Sequence, residues 1–192
     1  ECLGEQTLKP IEIIIVDQTP IKDIPKNFYE KYYDKLPLKV ITSNVPSSTV
    51  SRNIGAKKAK GEFLCFFDDK VVGDKKLIET HLKVIIGENV DVVHGATIHK
   101  DIHGESLPNK PIWEKDIKIL DPALIFLISA NYQWEGMAIG LNTANMMIRK
   151  KTFAKGNGLD ENMTGRYDDV DFGYRLFRSG AKIFFSPKPL II

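Results

Sequence analysis

The sequence predicts an α/β fold with a mixed, mainly parallel sheet flanked by helices. Short apolar runs rich in Ile and Val alternate with longer segments that repeat their apolar residues at helical spacing, and this alternation is typical of βαβ units. Of the 192 residues, 43% are hydrophobic and 27% are charged, which is an ordinary balance for a globular domain with a sizeable core. We therefore expect a single domain over residues 1–192.

The first half of the chain predicts a regular alternation of strands and helices. Its apolar runs are too short for helices and are typical of buried strands. Ser47 or Ser48, after Pro46, is the expected N-cap of the second helix. The predicted strands are 12–16, 38–42, 62–67 and 91–98, and the predicted helices are 24–36, 48–60 and 74–86.

The second half begins with a long segment, 100–140, that shows no clean period. It holds three prolines and both tryptophans, and long irregular segments in compact domains are often functional. Beyond it, the pattern predicts a strand at 144–149, a helical turn at 150–155, a helix at 169–178 and a strand at 182–186. His94, His99 and His103 do not share one helix face, so we expect surface or half-buried roles for them rather than a metal site.

Composition excludes several classes of protein. A net charge of +2 is too mild for a nucleic-acid-binding protein, two cysteines exclude a disulfide scaffold, and no apolar run reaches the roughly 18 residues that span a membrane. Cysteine usage and the missing signal peptide favour a cytoplasmic compartment. The run Lys57, Lys58, Lys60 is expected to be a solvated face, with contact to anionic lipid at a membrane surface as the alternative. Neither end has the character of a natural terminus, so we expect a fragment of a longer protein.

Acidic residues follow two predicted strands and open the last predicted helix. Asp17 follows the first strand, Asp68 and Asp69 follow the third, and Asp168 and Asp169 stand at the helix start. In parallel sheets, ligands bind beyond the carboxyl ends of the strands. Carboxylates in such places suit a divalent cation that bridges to a phosphorylated ligand. The alternative is that they are only caps of turns and helices.

Four segments, in order along the chain, resemble the family 2 glycosyltransferases, which have a GT-A fold. The resemblance implies a nucleotide-sugar-binding half over residues 1–98 and an acceptor-binding and catalytic-base half over residues 99–192. The matching segments are 6–17, 51–63, 66–70 and 144–171.

The resemblance implies a hexosyltransferase that moves a sugar, with inversion, from a nucleotide sugar (a UDP-sugar) to an acceptor hydroxyl on a sugar or glycolipid, in polysaccharide or glycoconjugate synthesis. Asp169 matches the base that deprotonates the acceptor, a step that a poorly nucleophilic hydroxyl requires. The implied donor-binding residues are Asp17, Arg52, Asn53, Asp68, Asp69 and Lys70. The implied acceptor-binding residues are Asn145, Trp134 and Asp168.

The sequence departs from the family pattern at three places. The strand that precedes Gln6 in the family is missing, Gln18 stands where a second acidic residue is usual, and Lys70 replaces the last Asp of the DxD motif. Asp68 and Asp69 are the expected ligands if Mn²⁺ or Mg²⁺ still binds. In a second interpretation, the Lys70 ammonium replaces the cation and meets the diphosphate directly. A third is that the donor site has decayed.

Three other functions remain as alternatives. The first is a non-catalytic glycosyltransferase-like module that binds a nucleotide sugar or a partner. A nucleotidyltransferase would usually bring a glycine-rich phosphate loop near the first strand, and none is visible. A glycoside hydrolase would use paired carboxylates without a nucleotide pocket.

Overall fold

A computed structural model describes residues 2–97, 135–163 and 167–192. These residues form seven strands, five α-helices and two short 3₁₀ helices, at Cys2–Gly4 and Ile21–Asp23. The strands are β1 Ile13–Asp17, β2 Leu38–Thr42, β3 Phe63–Phe67, β4 Val92–Thr97, β5 Gly136–Ala138, β6 Asn145–Arg149 and β7 Ile183–Ile191. The α-helices are α1 Glu30–Tyr33, α2 Ser48–Lys58, α3 Leu77–Gly87, α4 Lys150–Lys155 and α5 Asp168–Arg178.

The strands form two sheets. β1 and β2 pair in parallel, and the other five strands lie in the order β3-β6-β4-β7-β5. Within the larger sheet β4 and β7 are parallel, whereas β6 is antiparallel to both β3 and β4, and β5 is antiparallel to β7.

The predicted mixed sheet with flanking helices is confirmed, but its pairing differs from the expected βαβ pattern. β3, β4 and β7 run in the same direction, yet β6 is inserted between β3 and β4. β6 comes later in the chain than β3 and β4 and forms hydrogen bonds with both of them. Local sequence patterns do not encode such long-range pairing.

The large sheet is covered by helices on both faces. Successive side chains of a strand point to opposite faces, and the core divides accordingly: Val92 and Met146 pack in one cluster, and Val93 and Met147 in the other. The first cluster includes residues of α4 and α5, and the second includes residues of α3. This arrangement fixes the start of α5 relative to the strand ends.

Three predicted elements differ from the structure, and one of them is the last strand, predicted at 182–186 and found at Ile183–Ile191. Of the predicted helix at 24–36, only Glu30–Tyr33 is α-helical, because Asn27 adopts a φ of 60°, which a right-handed helix cannot continue through. The irregular segment hides the short strand β5, whose three residues are too few to show a period. In contrast, Ser47 is the N-cap of α2, and its hydroxyl accepts a hydrogen bond from the Val50 amide.

Several expectations fall on residues 98–134, which lie outside the described residues. They include those for Trp134, His99 and His103 and for most of the irregular segment 100–140. In the part of the chain that the structure describes, no helix is long and apolar enough to cross a membrane.

Candidate active site

Asp17 ends β1 and is held by two hydrogen bonds. The Tyr29 hydroxyl donates to its Oδ2 at 2.5 Å, and the Thr19 amide donates to its Oδ1 at 2.8 Å. Partial burial alone would raise the pKa of Asp17, but these hydrogen bonds favour the anion, and the net pKa lies below the usual value. Burial and the neighbouring Asp17 carboxylate raise the pKa of Tyr29 to about 12. Asp17 is therefore a fixed anion with a neutral phenol beside it.

Gln18 connects the end of β1 to the start of α2. Its amide nitrogen donates to the Ser47 carbonyl at 2.6 Å and lies 2.5 Å from the Ser51 hydroxyl. A carboxylate has no hydrogen to donate to a carbonyl oxygen. The structure thus gives a physical reason for the amide where the family usually has an acid.

Arg52, on α2, joins the two acidic motifs. Its Nη2 lies 2.7 Å from Oδ1 of Asp68, and its Nη1 lies 3.4 Å from Oδ2 of Asp168. The same oxygen of Asp168 accepts a hydrogen bond from the Thr49 hydroxyl at 3.0 Å. One guanidinium therefore bridges the carboxyl end of β3 and the start of α5. Arg52 is suited to this because its rigid fork presents several donors at once.

Asp169 is the next residue on α5, and its environment is different. Burial, and after it the neighbouring Asp168 carboxylate, raise the pKa of Asp169 to about 6, although backbone amides and Arg52 act in the opposite direction. A carboxylate with such a pKa is a stronger base than an ordinary one and is still mostly ionised at pH 7. This pattern of desolvation with a like charge nearby is typical of functional acids and bases.

Asp68, Asp69 and Lys70 lie exposed just beyond β3. Asp68 already has Arg52 as a partner through one oxygen, while Asp69 has no hydrogen-bond partner among the described residues. Mg²⁺ is commonly held by one or two carboxylates together with substrate phosphates, so this pair fits such a cation. Among residues 2–97, 135–163 and 167–192, however, no group of three or more His, Cys, Asp or Glu side chains could enclose a metal ion by itself.

Asn53, the residue after Arg52, binds the loop that precedes α5. Its amide nitrogen donates to the Leu159 carbonyl at 2.8 Å and to Glu161 at 2.9 Å, and its oxygen accepts from the Leu159 amide at 3.0 Å. Gly158, with a φ of 67°, lies so close that an added Cβ would be 2.7 Å from the Asn53 oxygen. With these groups engaged, Asn53 anchors the loop before α5 and leaves little capacity for a ligand.

The predicted acceptor contact of Asn145 must be corrected. Its side chain is 0% exposed and donates to the carbonyls of Ala96 and Pro189 at 2.9 and 2.8 Å. Its Oδ1 lies 2.7 Å from Nε2 of His81, which must therefore carry the proton. Asn145 is fully occupied as an internal cross-link between strands and α3.

Two sequence predictions concern residues next to this site. Asp168, predicted on the acceptor side, is buried and faces Thr49 and Arg52. Trp134 lies outside the described residues. The sequence analysis did not identify Tyr29, which binds Asp17, or Thr49, which binds Asp168. Both lie in predicted helices, and nothing in the local pattern distinguishes them from other helical residues.

A cleft of about 650 Å³ lies away from the acidic motifs, near the end of α5. Asn53 and Arg175 contribute to its wall, together with the loop that contains Asp160 and Glu161. The Arg175 guanidinium is already bonded to Asp171, Gly156 and Gly158. The cleft is therefore distinct from the place where Arg52 joins Asp68 and Asp168.

Comparison with known proteins identifies relatives of this architecture. The sequence profile of the family described as Glycosyl transferase family 2 matches residues 1–154. The chain is 26% identical to the cholesterol galactosyltransferase of Borreliella burgdorferi, with 94% of this chain and 51% of the relative covered. It is 36% identical to the uncharacterized glycosyltransferase YwdF of Bacillus subtilis over 49% of this chain and 34% of the relative. The chain thus spans at most about half the length of these relatives.

Solved structures share the fold. TarS 1-349 of S. aureus superimposes with a TM-score of 0.65 at 18% identity, covering 98% of this chain and 55% of TarS. The complexes of TarS 1-349 with UDP and with UDP-GlcNAc give TM-scores of 0.67 and 0.66 at 17% and 18% identity, each covering 97% of this chain and 54% and 53% of TarS. This likeness establishes the GT-A fold.

Proposed function

The chain belongs to glycosyl transferase family 2, and we propose that it transfers a hexose from a UDP-sugar to an acceptor hydroxyl with inversion at the anomeric carbon. The observation that carries the proposal is the arrangement around Arg52. This residue joins Asp68, on the donor side, to Asp168, the neighbour of the raised-pKa carboxylate Asp169.

The choice of a UDP-sugar rests on the relatives. TarS has been solved with UDP and with UDP-GlcNAc, and the Borreliella relative is named a galactosyltransferase. Asp17 is suited to the base of the nucleotide because its carboxylate is an ionised acceptor fixed at a strand end. Arg52 is suited to the diphosphate side, since a guanidinium recognises phosphate oxygens well.

In the proposed reaction, Asp169 removes the proton of the acceptor hydroxyl as that oxygen attacks the anomeric carbon. The bond between the anomeric carbon and the diphosphate oxygen breaks, and the nucleoside diphosphate leaves with the electron pair. Attack on the face opposite the leaving group inverts the anomeric centre. Alignment of the two reactants contributes much of the acceleration.

The negative charge that develops on the diphosphate needs compensation. Asp68 and Asp69 would hold Mn²⁺ or Mg²⁺, which when bound supplies positive charge to the leaving group. Arg52 and Lys70 provide positive charge from the chain itself near the same strand end. We expect Arg52 to exchange part of its pairing with Asp68 for the donor phosphates.

The proposed acceptor is a hydroxyl on a sugar or glycolipid, used in polysaccharide or glycoconjugate synthesis. The proposed location is the cytoplasm, at a membrane surface when the acceptor is a lipid. In support, one relative is named for a lipid, cholesterol. The exposed residues Lys57 and Lys58, in the last turn of α2, and Lys60, just beyond it, provide positive charge for anionic headgroups.

The test is release of UDP from UDP-galactose, UDP-glucose and UDP-GlcNAc by the full chain, compared with Asp169→Asn. The variant should bind UDP normally and lose transfer by about 10²–10⁴-fold, the usual worth of a general base. Asp160→Asn is the matched control, because it removes the charge of a half-buried carboxylate that contacts neither Arg52 nor its partners Asp68 and Asp168. If wild type binds UDP but releases none from any donor, the function is binding and the catalytic proposal fails.

A further inference from the structure

A second cleft, of about 320 Å³, lies along one side of α5, the helix that begins with Asp168 and Asp169. Its size falls within the range of small-molecule sites. Its described lining is mostly apolar or aromatic and comprises Ile139, Gly140, Met163, Tyr167, Val170, Asp171 and Tyr174.

The cleft occupies a distinct side of α5. Residues three and four apart share a helix face, and this spacing places Val170 and Tyr174 on one face of α5, while Tyr167 immediately precedes the helix. The residues that α5 buries in the core, Phe172 and Leu176, belong to a different face. The apolar residues that line the cleft are therefore not the ones with which α5 packs into the core.

The aromatic residues of this cleft are unusually exposed. Tyr167 is 64% and Tyr174 is 50% exposed. The charged residue in the lining, Asp171, is neutralised by Arg175, whose Nε lies 2.7 Å from its Oδ2. Exposed apolar surface without an unpaired charge is typical of a binding site for an apolar group.

One residue of the cleft is the chain neighbour of the acid pair in the proposed catalytic site. Tyr167 lines it and immediately precedes Asp168 and Asp169. Tyr167 adopts a φ of 66°, a left-handed conformation that is uncommon for a bulky residue and is concentrated at functional sites. A molecule whose hydroxyl reached Asp169 could therefore extend its other end along α5.

We infer that the acceptor carries an apolar group and that this group binds in the cleft formed by Tyr167, Val170, Tyr174 and Ile139. The acceptor is then a lipid alcohol or a glycolipid rather than a soluble sugar. This inference rests on the proposed function for the role of Asp169. The occupant of the cleft is the hydrocarbon part of the acceptor.

The test compares n-octyl β-D-glucoside, below its micelle concentration, with methyl β-D-glucoside. The full chain is titrated with each and observed by saturation-transfer NMR, which reports affinity and the ligand protons in contact with protein. Burial of even about two of the extra methylene groups predicts roughly a tenfold tighter dissociation constant for the octyl compound. We expect Tyr167→Ala/Tyr174→Ala to remove this gain and to leave the affinity for methyl glucoside unchanged.

Phe177→Ala is the matched control, because Phe177 is also an exposed aromatic residue of α5, at 44%, but does not line the cleft. It should retain the full preference for the octyl compound. Equal affinities for the two glucosides, or a preference that survives in the double variant, would overturn the inference. So would self-association of wild type that the double variant abolishes, since the face would then be a contact between two copies.

The same samples are scanned for a UDP-induced rise in melting temperature, which reports the donor site separately. A chain that binds UDP but shows no octyl preference refutes the lipid acceptor and leaves glycosyl transfer standing. A chain with the octyl preference but no response to UDP refutes the proposed donor and leaves the apolar site standing. Each proposal thus fails on its own measurement.

Discussion

Arg52 and Asp168 are 116 positions apart in the sequence, yet Nη1 of Arg52 lies 3.4 Å from Oδ2 of Asp168. The other end of the same guanidinium lies 2.7 Å from Asp68. The arginine side chain is only 18% exposed, so these charges interact with less screening than surface pairs do. Arg52 therefore links, electrostatically, the strand end that carries Asp68 to the acid pair that opens α5.

The first prediction concerns the pH dependence of transfer. With the pKa of Asp169 at about 6, kcat/KM should fall as the pH drops below about 6, because the protonated carboxyl cannot accept a proton. Arg52→Gln removes a positive charge that lowers this pKa and should move the acid limb to higher pH by up to about one unit. Arg52→Lys keeps the charge and should move the limb less. Unchanged pH profiles in both variants would contradict the coupling.

The second prediction concerns stability. The pKa of Asp169 is raised from its ordinary 3.8 to about 6 in the folded state. Between these two values the unfolded chain binds fewer protons at this site, so the contribution of Asp169 to stability falls as the pH rises from about 4 to about 6. Asp169→Asn removes this cost and should stabilise the chain at pH 7 by about 1–2 kcal/mol. Urea unfolding at pH 7 and pH 4 measures it. The gain should shrink at pH 4, and a gain that is equal at both pH values would have another cause.

The third prediction concerns the loop before α5. Asn53→Ala leaves the Leu159 amide and carbonyl without their side-chain partner and should cost about 1–3 kcal/mol. Hydrogen exchange at the Leu159 amide should accelerate at the same time. Glu161→Ala is the control, since it removes only one of the three hydrogen bonds made by Asn53 and should cost less than half as much. Equal losses in the two variants would show that Asn53 is not the anchor.

The fourth prediction concerns the cation. If Asp68 and Asp69 hold Mn²⁺ or Mg²⁺ with the diphosphate, UDP should raise the melting temperature in the presence of either metal, and EDTA should abolish the shift. Thermal-shift scans with UDP, GDP, CDP and dTDP measure the base preference as well. Lys70→Ala should leave the metal-dependent shift in place. A shift that persists in EDTA and disappears in Lys70→Ala assigns the cationic role to Lys70 instead.

The fifth prediction concerns two histidines in the core. Burial lowers the pKa of His81 to about 4, although its hydrogen bond with Asn145 acts in the opposite direction. Burial, and after it the nearby His81, lower the pKa of His94 to about 3. Because these histidines bind protons below about pH 6.5 in the unfolded chain, the contribution of each to stability should decline between pH 7 and pH 5 by up to about 1.4 kcal/mol per pH unit.

His94→Leu separates the two contributions. His94 is 1% exposed, and neither ring nitrogen has a hydrogen-bond partner within the described ranges, so an apolar side chain loses no bond there. The variant should lose about half of the wild-type difference in unfolding free energy between pH 7 and pH 5. A difference as large as that of wild type would place the acid sensitivity elsewhere. The burial of His94 also shows that the surface or half-buried role expected from the sequence was wrong.

Much of the site could be anticipated from sequence because it lies at ends of elements. Asp17, Asp68 and Asp169 each stand at the end of a strand or the start of a helix, and both features have local signals. The same local signals placed Ser47 at the N-cap of α2. The catalytic and binding roles of these residues remain predictions that the experiments above address.

Local patterns could not decide how the elements pair. β6 pairs with both β3 and β4, and the sequence of an apolar strand does not indicate which strands it will pair with. The sequence motif around Asn145 indicated an acceptor contact, but the Asn145 side chain is enclosed. Gly95 makes that enclosure possible, because a Cβ at this position would lie 2.3 Å from Nδ2 of Asn145.

The sequence by itself determined the α/β class, the family resemblance and the chain positions of the acidic motifs, because periodicity, capping and motif spacing are local properties. Only the tertiary structure decided that Arg52 joins Asp68 to Asp168, that Asn53 is bound to the 159–161 loop, and that Asn145 lies in the interior. These contacts depend on burial and on pairing between distant segments. A side chain's role changes when burial removes it from solvent and a distant partner takes its hydrogen bonds.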